Sequence, residues 1–180
     1  KTVAITPADS MTQIWPLFLK KTGLKEADFK TVAGDGQTKL NAVINGQADL
    51  LLGYVMDQSM KIKDATGKDV NAIKFADYGI NMVCSGVVAN TEFVKANADL
   101  VKRFMSATTK AVEAAEKDAK GAAQAILDAN PKGGKIETLT KGFELTIPLY
   151  RTAETKSKRP FQVTEQNMTD TVNLMVEYGG

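Results

Sequence analysis

The side chains able to do chemistry are few, and their scarcity narrows the field. The 180 residues contain no histidine and a single cysteine, Cys84. The commonest general base and metal ligand is therefore missing, and no intrachain disulfide or zinc cluster can form. Triads built on an imidazole drop out with it. Cys84 lies in the apolar run MVCSGVVA, where a thiol is a small core residue before it is a nucleophile. What remains are carboxylates and phenols in polar, turn-like segments: Asp9 beside Ser10 and Met11, Tyr54 shortly before Asp57, and Asp77 beside Tyr78. No paired acid and base recurs among them, so they suit recognition of a ligand rather than turnover. No catalytic residue, metal or cofactor is expected.

The elements that would hold these residues follow from periodicity. Residues 2–6, TVAIT, form a β-branched strand. Ser10 can cap a helix reaching about Thr22, with Ile14, Trp15, Leu17, Phe18 and Leu19 as its buried side, and Pro16 inside it should kink it or mark a restart. A second strand over 29–33 leads through Gly34, Asp35 and Gly36 into the most informative passage, NAVINGQADLLLGY over 41–54. There Leu40, Val43 and Ile44 mark an apolar helix face, while Lys39, Asn41 and Asn45 mark the wet one. Gly46 supplies the left-handed residue that ends the helix, and Leu50, Leu51 and Leu52 form a strand covered on both faces. Tyr54 then emerges at a carboxyl end, where open α/β sheets place ligands. Strand, helix, strand, helix, strand is a doubly wound pattern.

Further on, the pattern predicts a short helix over 56–64, a turn at Gly67 and strands over 70–75 and 82–89. Ala76, Asp77, Tyr78 and Gly79 interrupt the order between those strands. Beyond Thr91 the chain reads as helical. Asn97 caps a long helix, Asp118 caps another ending near Ala129, and helices over 136–146 and from Thr164 to Tyr178 follow, with a solvated basic loop over 150–159. Either these helices wrap the first 82 residues, or they belong to a second lobe whose strands lie elsewhere.

Several positions carry two readings. Ser10 is a cap, a ligand contact, or both. Tyr54 faces a ligand or closes the lobe edge, Asp57 contacts ligand or opens the short helix, and Asp77 and Tyr78 meet ligand or form a hinge turn. Trp15 belongs to the core. At these positions acids outnumber lysine and arginine, which favours a ligand with donors over a sulfate-like anion. The 23 basic and 21 acidic residues are scattered, which excludes a nucleic-acid partner. No apolar run approaches the length that spans a bilayer, so no direct membrane insertion is expected.

Three passages, KTVAITPADSMTQIWPLFLKKTG, NAVINGQADLLLGY and ADYGINMVCSGVVANTEFVKANADLVKRFMSATTKAVEAA, resemble solute-binding proteins of ABC importers. The group is the NMT1/THI5-like family, which includes sulfonate, nitrate and thiamine-pyrimidine binders. The resemblance implies an α/β, type II periplasmic-binding-protein-like fold. Residues 1–82 would be one doubly wound α/β lobe, the second lobe of such a protein. Residues 83–180 would be a return strand and helices packing on a first lobe whose main part precedes residue 1. It further implies a periplasmic or membrane-tethered extracellular receptor. Such a receptor captures a small polar or heteroaromatic solute in an interlobe cleft and delivers it to the transmembrane subunits of an ABC permease. By position, Asp9, Ser10 and Met11 match the loop and helix start that contact ligand, Tyr54 and Asp57 the loop after the third strand, and Asp77 and Tyr78 the crossover near the hinge. Cys84 and Ser85 stand where pyrimidine binders carry an acid, a departure that weakens a thiamine-precursor assignment. The pyrimidine-forming enzymes of the family depend on histidine, which is absent. The rival reading is the ligand-sensing effector domain of a LysR-type transcription regulator, though no helix-turn-helix is present.

Overall fold

The computed structural model describes Lys1–Tyr178 and is a mixed α/β structure with a small parallel sheet and many helices. Strands β1 (Thr2–Ile5), β2 (Lys30–Ala33) and β3 (Leu50–Leu51) run parallel in the order β2-β1-β3. Val3 sits opposite both Thr31 and Leu50. Val3 and Ala4 are both buried, although adjacent strand residues point to opposite faces. The central strand is therefore covered on both sides. Helix α1 (Ser10–Thr22) gathers Ile14, Leu17, Phe18 and Leu19 into one cluster with Ile80, and Pro16 lies within an unbroken helix. Helix α2 (Gly36–Ile44) contributes Ala42 to the other cluster, with Ala4 and Ala48. Gly46 follows it at φ +71°, the left-handed geometry that its position predicts. Asp49, the acid in the same passage, accepts the Thr2 N–H at 2.8 Å and so fixes the start of β1. Helix α3 (Gln58–Thr66) follows β3.

Two sequence expectations fail in this part of the chain. No regular strand forms over 70–75 or 82–89; the first stretch ends in a 3-10 turn, Phe75–Tyr78. Val70 and Ile73 stay 40% and 58% exposed, and Val87 and Val88 73% and 96%. Cys84 is exposed as well, not a core thiol. β-Branched composition shows that a segment tolerates extended backbone, whereas a strand exists only with a partner for its N–H and C=O groups.

Val83–Thr164 form a separate compact unit. Helix α4 (Thr91–Ala96) is capped by Asn90, which accepts the Glu92 and Phe93 N–H groups at 2.9 and 3.2 Å. Helices α5 (Ala98–Lys117), α6 (Ala119–Ala129) and α7 (Ile136–Thr146) follow. Asn97 stands at the N-cap position of α5 as expected, but its side chain makes no capping bond there; its amide donates to Phe93 O at 3.0 Å and closes α4. Asp118 does cap α6, through Gly121 N–H at 2.8 Å. The buried residues of α5 and α6 are alanines, Ala115 and Ala123, small enough for helices to approach closely.

The segment over 150–159 is a largely exposed loop, as its composition suggested, but it is tied down at two points. Arg151 makes a two-nitrogen pair with Glu116, Nη2 lying 3.1 Å from Oε2, and donates from Nε to Lys158 O at 2.8 Å. Arg159 forks onto Glu113 at 2.6 and 2.9 Å. Between these clips Thr155 is 1% exposed. The Arg159 bonds hold the Glu113 carboxyl below its ordinary pKa despite the opposing effect of desolvation. Arg151→Ala should therefore speed amide hydrogen exchange over 152–158 several-fold. Arg159→Ala should do less, because the Arg159 side chain is 61% exposed against 22% for Arg151. Equal exchange in both variants and the wild type would show that the clips do not order the segment.

The last helix, α8 (Glu165–Tyr178), belongs with Lys1–Met82 rather than with the helices before it. Leu174, Met175 and Tyr178 pack against the α1 cluster, and Lys20 Nζ donates to Tyr178 Oη at 3.0 Å.

Candidate functional site

The connection from β2 to β3 crosses over β1, so the direction of winding reverses between β1 and β3. That reversal leaves a crevice at the carboxyl ends of the two strands, because the chains leaving them turn to opposite faces. β1 continues through Thr6, Pro7 and Ala8 into α1, and β3 continues through Leu52 and Gly53 to Tyr54. Across the crevice Ser10 Oγ and Tyr54 Oη lie 3.4 Å apart, and either can donate.

Each wall is built locally. On the β1 side Asp9, not Ser10, caps α1: its carboxylate accepts Thr12 N–H at 2.7 Å. Ser10 is thereby the first helical residue, with its hydroxyl free to turn towards Tyr54. Ala8 takes φ +62°, a left-handed conformation that costs a non-glycine residue about 1–2 kcal/mol. Thr12 Oγ1 donates to Thr6 O at 2.9 Å, while Thr6 Oγ1 is buried with no hydrogen-bond partner among the described residues. Strained backbone and an orphaned hydroxyl are features that binding loops carry at a cost to stability. On the β3 side the Tyr54 N–H donates to Gln58 Oε1 at 2.6 Å, and Gln58 Nε2 donates to Asp57 Oδ2 at 2.7 Å. A Cβ at Gly53 would stand 2.6 Å from Gln58 Oε1 and 2.7 Å from Leu51 Cδ2, so a larger residue would displace the Gln58 side chain that holds Tyr54.

Lys39 joins the two walls. The sequence pattern puts it on the wet face of its helix, yet it is 5% exposed. Its ammonium donates to Asp9 Oδ2 at 3.1 Å and to Leu52 O at 2.7 Å. The available signal was its spacing, three before Ala42 and four before Val43, which puts its stem on the covered face. Burial pushes the Asp9 carboxyl up, but Thr12 N–H and Lys39 together outweigh it and hold the group below 3.8.

Asp9, Ser10, Tyr54 and Asp57 are thus gathered at one edge. Met11 is also in the first turn, with its side chain against the α1 cluster. Asp77 and Tyr78 are elsewhere. Tyr78 packs edge-on to Phe18, 5.0 Å between ring centroids, about 12 Å along the axis of α1 from Ser10. The excess of acids at the candidate positions also changes in space: Asp9 meets Lys39, and Asp57 meets Lys61 at 2.7 Å. The crevice is left polar and nearly neutral, with the Ser10 and Tyr54 hydroxyls facing one another. Among the described residues, no group of three or more Cys, Asp or Glu could hold a metal ion, and no helix is long and apolar enough to cross a membrane.

Residues 1–122 match the family described as NMT1/THI5 like. Over 88 residues, 49% of this chain, the sequence is 28% identical to the riboflavin-binding protein RibY of Chloroflexus aurantiacus. The match covers 24% of that relative's length, so the chain corresponds to only part of it.

Proposed function

The chain belongs to the NMT1/THI5-like family, a family of binding proteins, and from that premise we propose that it is part of the solute receptor of an ABC importer. In this reading the fold is of the type II periplasmic-binding kind, working in the periplasm or tethered outside the cell. Residues 1–82 are the second lobe, and residues 83–180 form its return segment. A small polar or heteroaromatic solute is closed in the cleft and handed to the transmembrane subunits of a permease. Asp77 and Tyr78 are assigned to the hinge side of that cleft.

The observation that carries the reading is the meeting of Ser10 and Tyr54 at the point where the winding reverses. Tyr54 is 36% exposed, so its ring can cover a flat solute while its hydroxyl and that of Ser10 bond to the solute's edge. With Asp9 and Asp57 both ion-paired, an uncharged ring bearing carbonyl acceptors suits the crevice better than a cation. Riboflavin, named for the relative RibY, is the first ligand to try.

Titration into riboflavin, followed by the flavin's own fluorescence, should give saturable quenching. Tyr54→Ala should weaken it on the order of ten-fold, the equivalent of one stacked ring and one hydrogen bond. Ser10→Ala should weaken it less. A wild-type chain that gives no saturable response to riboflavin or to a panel of pyrimidines and sulfonates would sink the proposal.

A further inference from the structure

We infer that Lys39 is a positioning residue for the crevice, setting the separation of Ser10 and Tyr54 without touching the solute. The inference rests on the reading of that crevice as a binding site. Its ammonium holds two chain segments that are far apart in sequence: Asp9 Oδ2 on the loop leading to Ser10, and Leu52 O on the segment leading to Tyr54. Both anchors lie within two residues of the side chain they place. Only 6% of the Lys39 side chain is exposed, so the charge has given up its water. A methionine or leucine would pack the same face of α2 without that desolvation. The lysine instead supplies directed N–H donors to two fixed oxygens. The loop it holds also contains the left-handed Ala8 and the unpartnered Thr6 Oγ1. A loop under such strain needs an external tie to keep one conformation.

The test uses the full chain with ring-labelled tyrosine, the Tyr54 signals being assigned with Tyr54→Phe. Lys39→Met keeps the stem and removes the ammonium. It should shift the Tyr54 ring signals, leave those of Tyr150 in the other unit unmoved, and weaken riboflavin binding on the order of ten-fold. Lys39→Arg, which restores charge and donors, should recover part of both effects. A Lys39→Met chain that merely melts earlier, with wild-type Tyr54 signals and wild-type affinity well below its melting point, overturns the inference. If Lys39→Met does not fold, Asp9→Asn gives the same readout, because asparagine still caps α1 while the ion pair is lost. Unmoved Tyr54 signals in that variant are equally fatal. Should the wild type ignore riboflavin while Tyr54 still shifts in Lys39→Met, the binding proposal fails and the role of Lys39 in spacing the two walls stands.

Discussion

Phe18→Ala should lower the unfolding free energy by about 3–5 kcal/mol, the range for deleting a buried aromatic ring whose surroundings cannot collapse into the space. Phe18 is 6% exposed and stacks on two rings, Trp15 at 5.3 Å and Phe75 at 5.0 Å, with Tyr78 edge-on at 5.0 Å. Each aromatic pair contributes about 0.5–1.5 kcal/mol beyond the area it buries, so the upper half of the range is expected. Phe75 and Tyr78 belong to the 3-10 turn rather than to α1, and Trp15 is itself held edge-on by Phe29, which limits relaxation. Domains of this kind have only about 5–15 kcal/mol in total, so the change is a large share of the whole. Trp15 is the chain's one tryptophan and lies in the same cluster, so its fluorescence in urea reports this unit directly. Leu24→Ala, at a site 44% exposed, is the control and should stay within about 0.5 kcal/mol. Equal urea midpoints for the two variants would show that the α1 cluster does not hold the first unit together.

Asp9→Ala should cost about 2–3 kcal/mol by two routes. It removes the cap of α1, worth about 0.5–2 kcal/mol, and it leaves the Lys39 ammonium buried without its carboxylate. Breaking a fully buried pair costs about 3–5 kcal/mol, but 29% of the Asp9 side chain remains exposed, and solvent screening reduces the loss. Asp9→Asn keeps the cap and should cost roughly half as much. The two variants separate capping from charge.

The same residue predicts a pH dependence. Burial raises the Asp9 carboxyl, yet Thr12 N–H and Lys39 prevail, and the folded value lies below 3.8. The unfolded chain therefore takes up this proton first as the solution is acidified. The stabilisation is fully present above the unfolded value and disappears as pH falls through the lower, folded one. Wild-type stability should decline from about pH 4 downwards, and Asp9→Asn should decline less steeply over that interval. Asp35 and Asp49 are lowered too, chiefly by the N–H groups of Thr38 and Thr2, so the slope is reduced rather than abolished. Identical slopes below pH 4 in Asp9→Asn and wild type would exclude Asp9 from acid unfolding.

How much of this was legible beforehand depended on whether the signal was local. The stop at Gly46, the start of α6 at Asp118 and the bounds of α7 were all readable, because a left-handed glycine, a capping aspartate or a helical repeat acts within one turn of chain. The candidate residues Ser10 and Tyr54 were readable as ends of elements. Their approach to 3.4 Å was not, since it depends on the order in which three strands lie side by side. Capping was misplaced by one residue at α1, where Asp9 and Ser10 are both good caps and only the path of the preceding loop chooses between them.

By itself, then, the sequence determined most helix ends to within about two residues, that the first strands belong to a doubly wound unit, and that imidazole chemistry is absent. Those properties rest on neighbours in the chain or on composition. The tertiary structure decided that residues 70–75 and 82–89 form no regular strand, that the basic segment is clipped to α5 by Arg151 and Arg159, and that Lys39 is buried between Asp9 and Leu52. The physical reason is the same in each case. A ladder partner, a carboxylate for a guanidinium and an acceptor for a buried ammonium are supplied by residues distant in sequence, and local pattern carries no record of them.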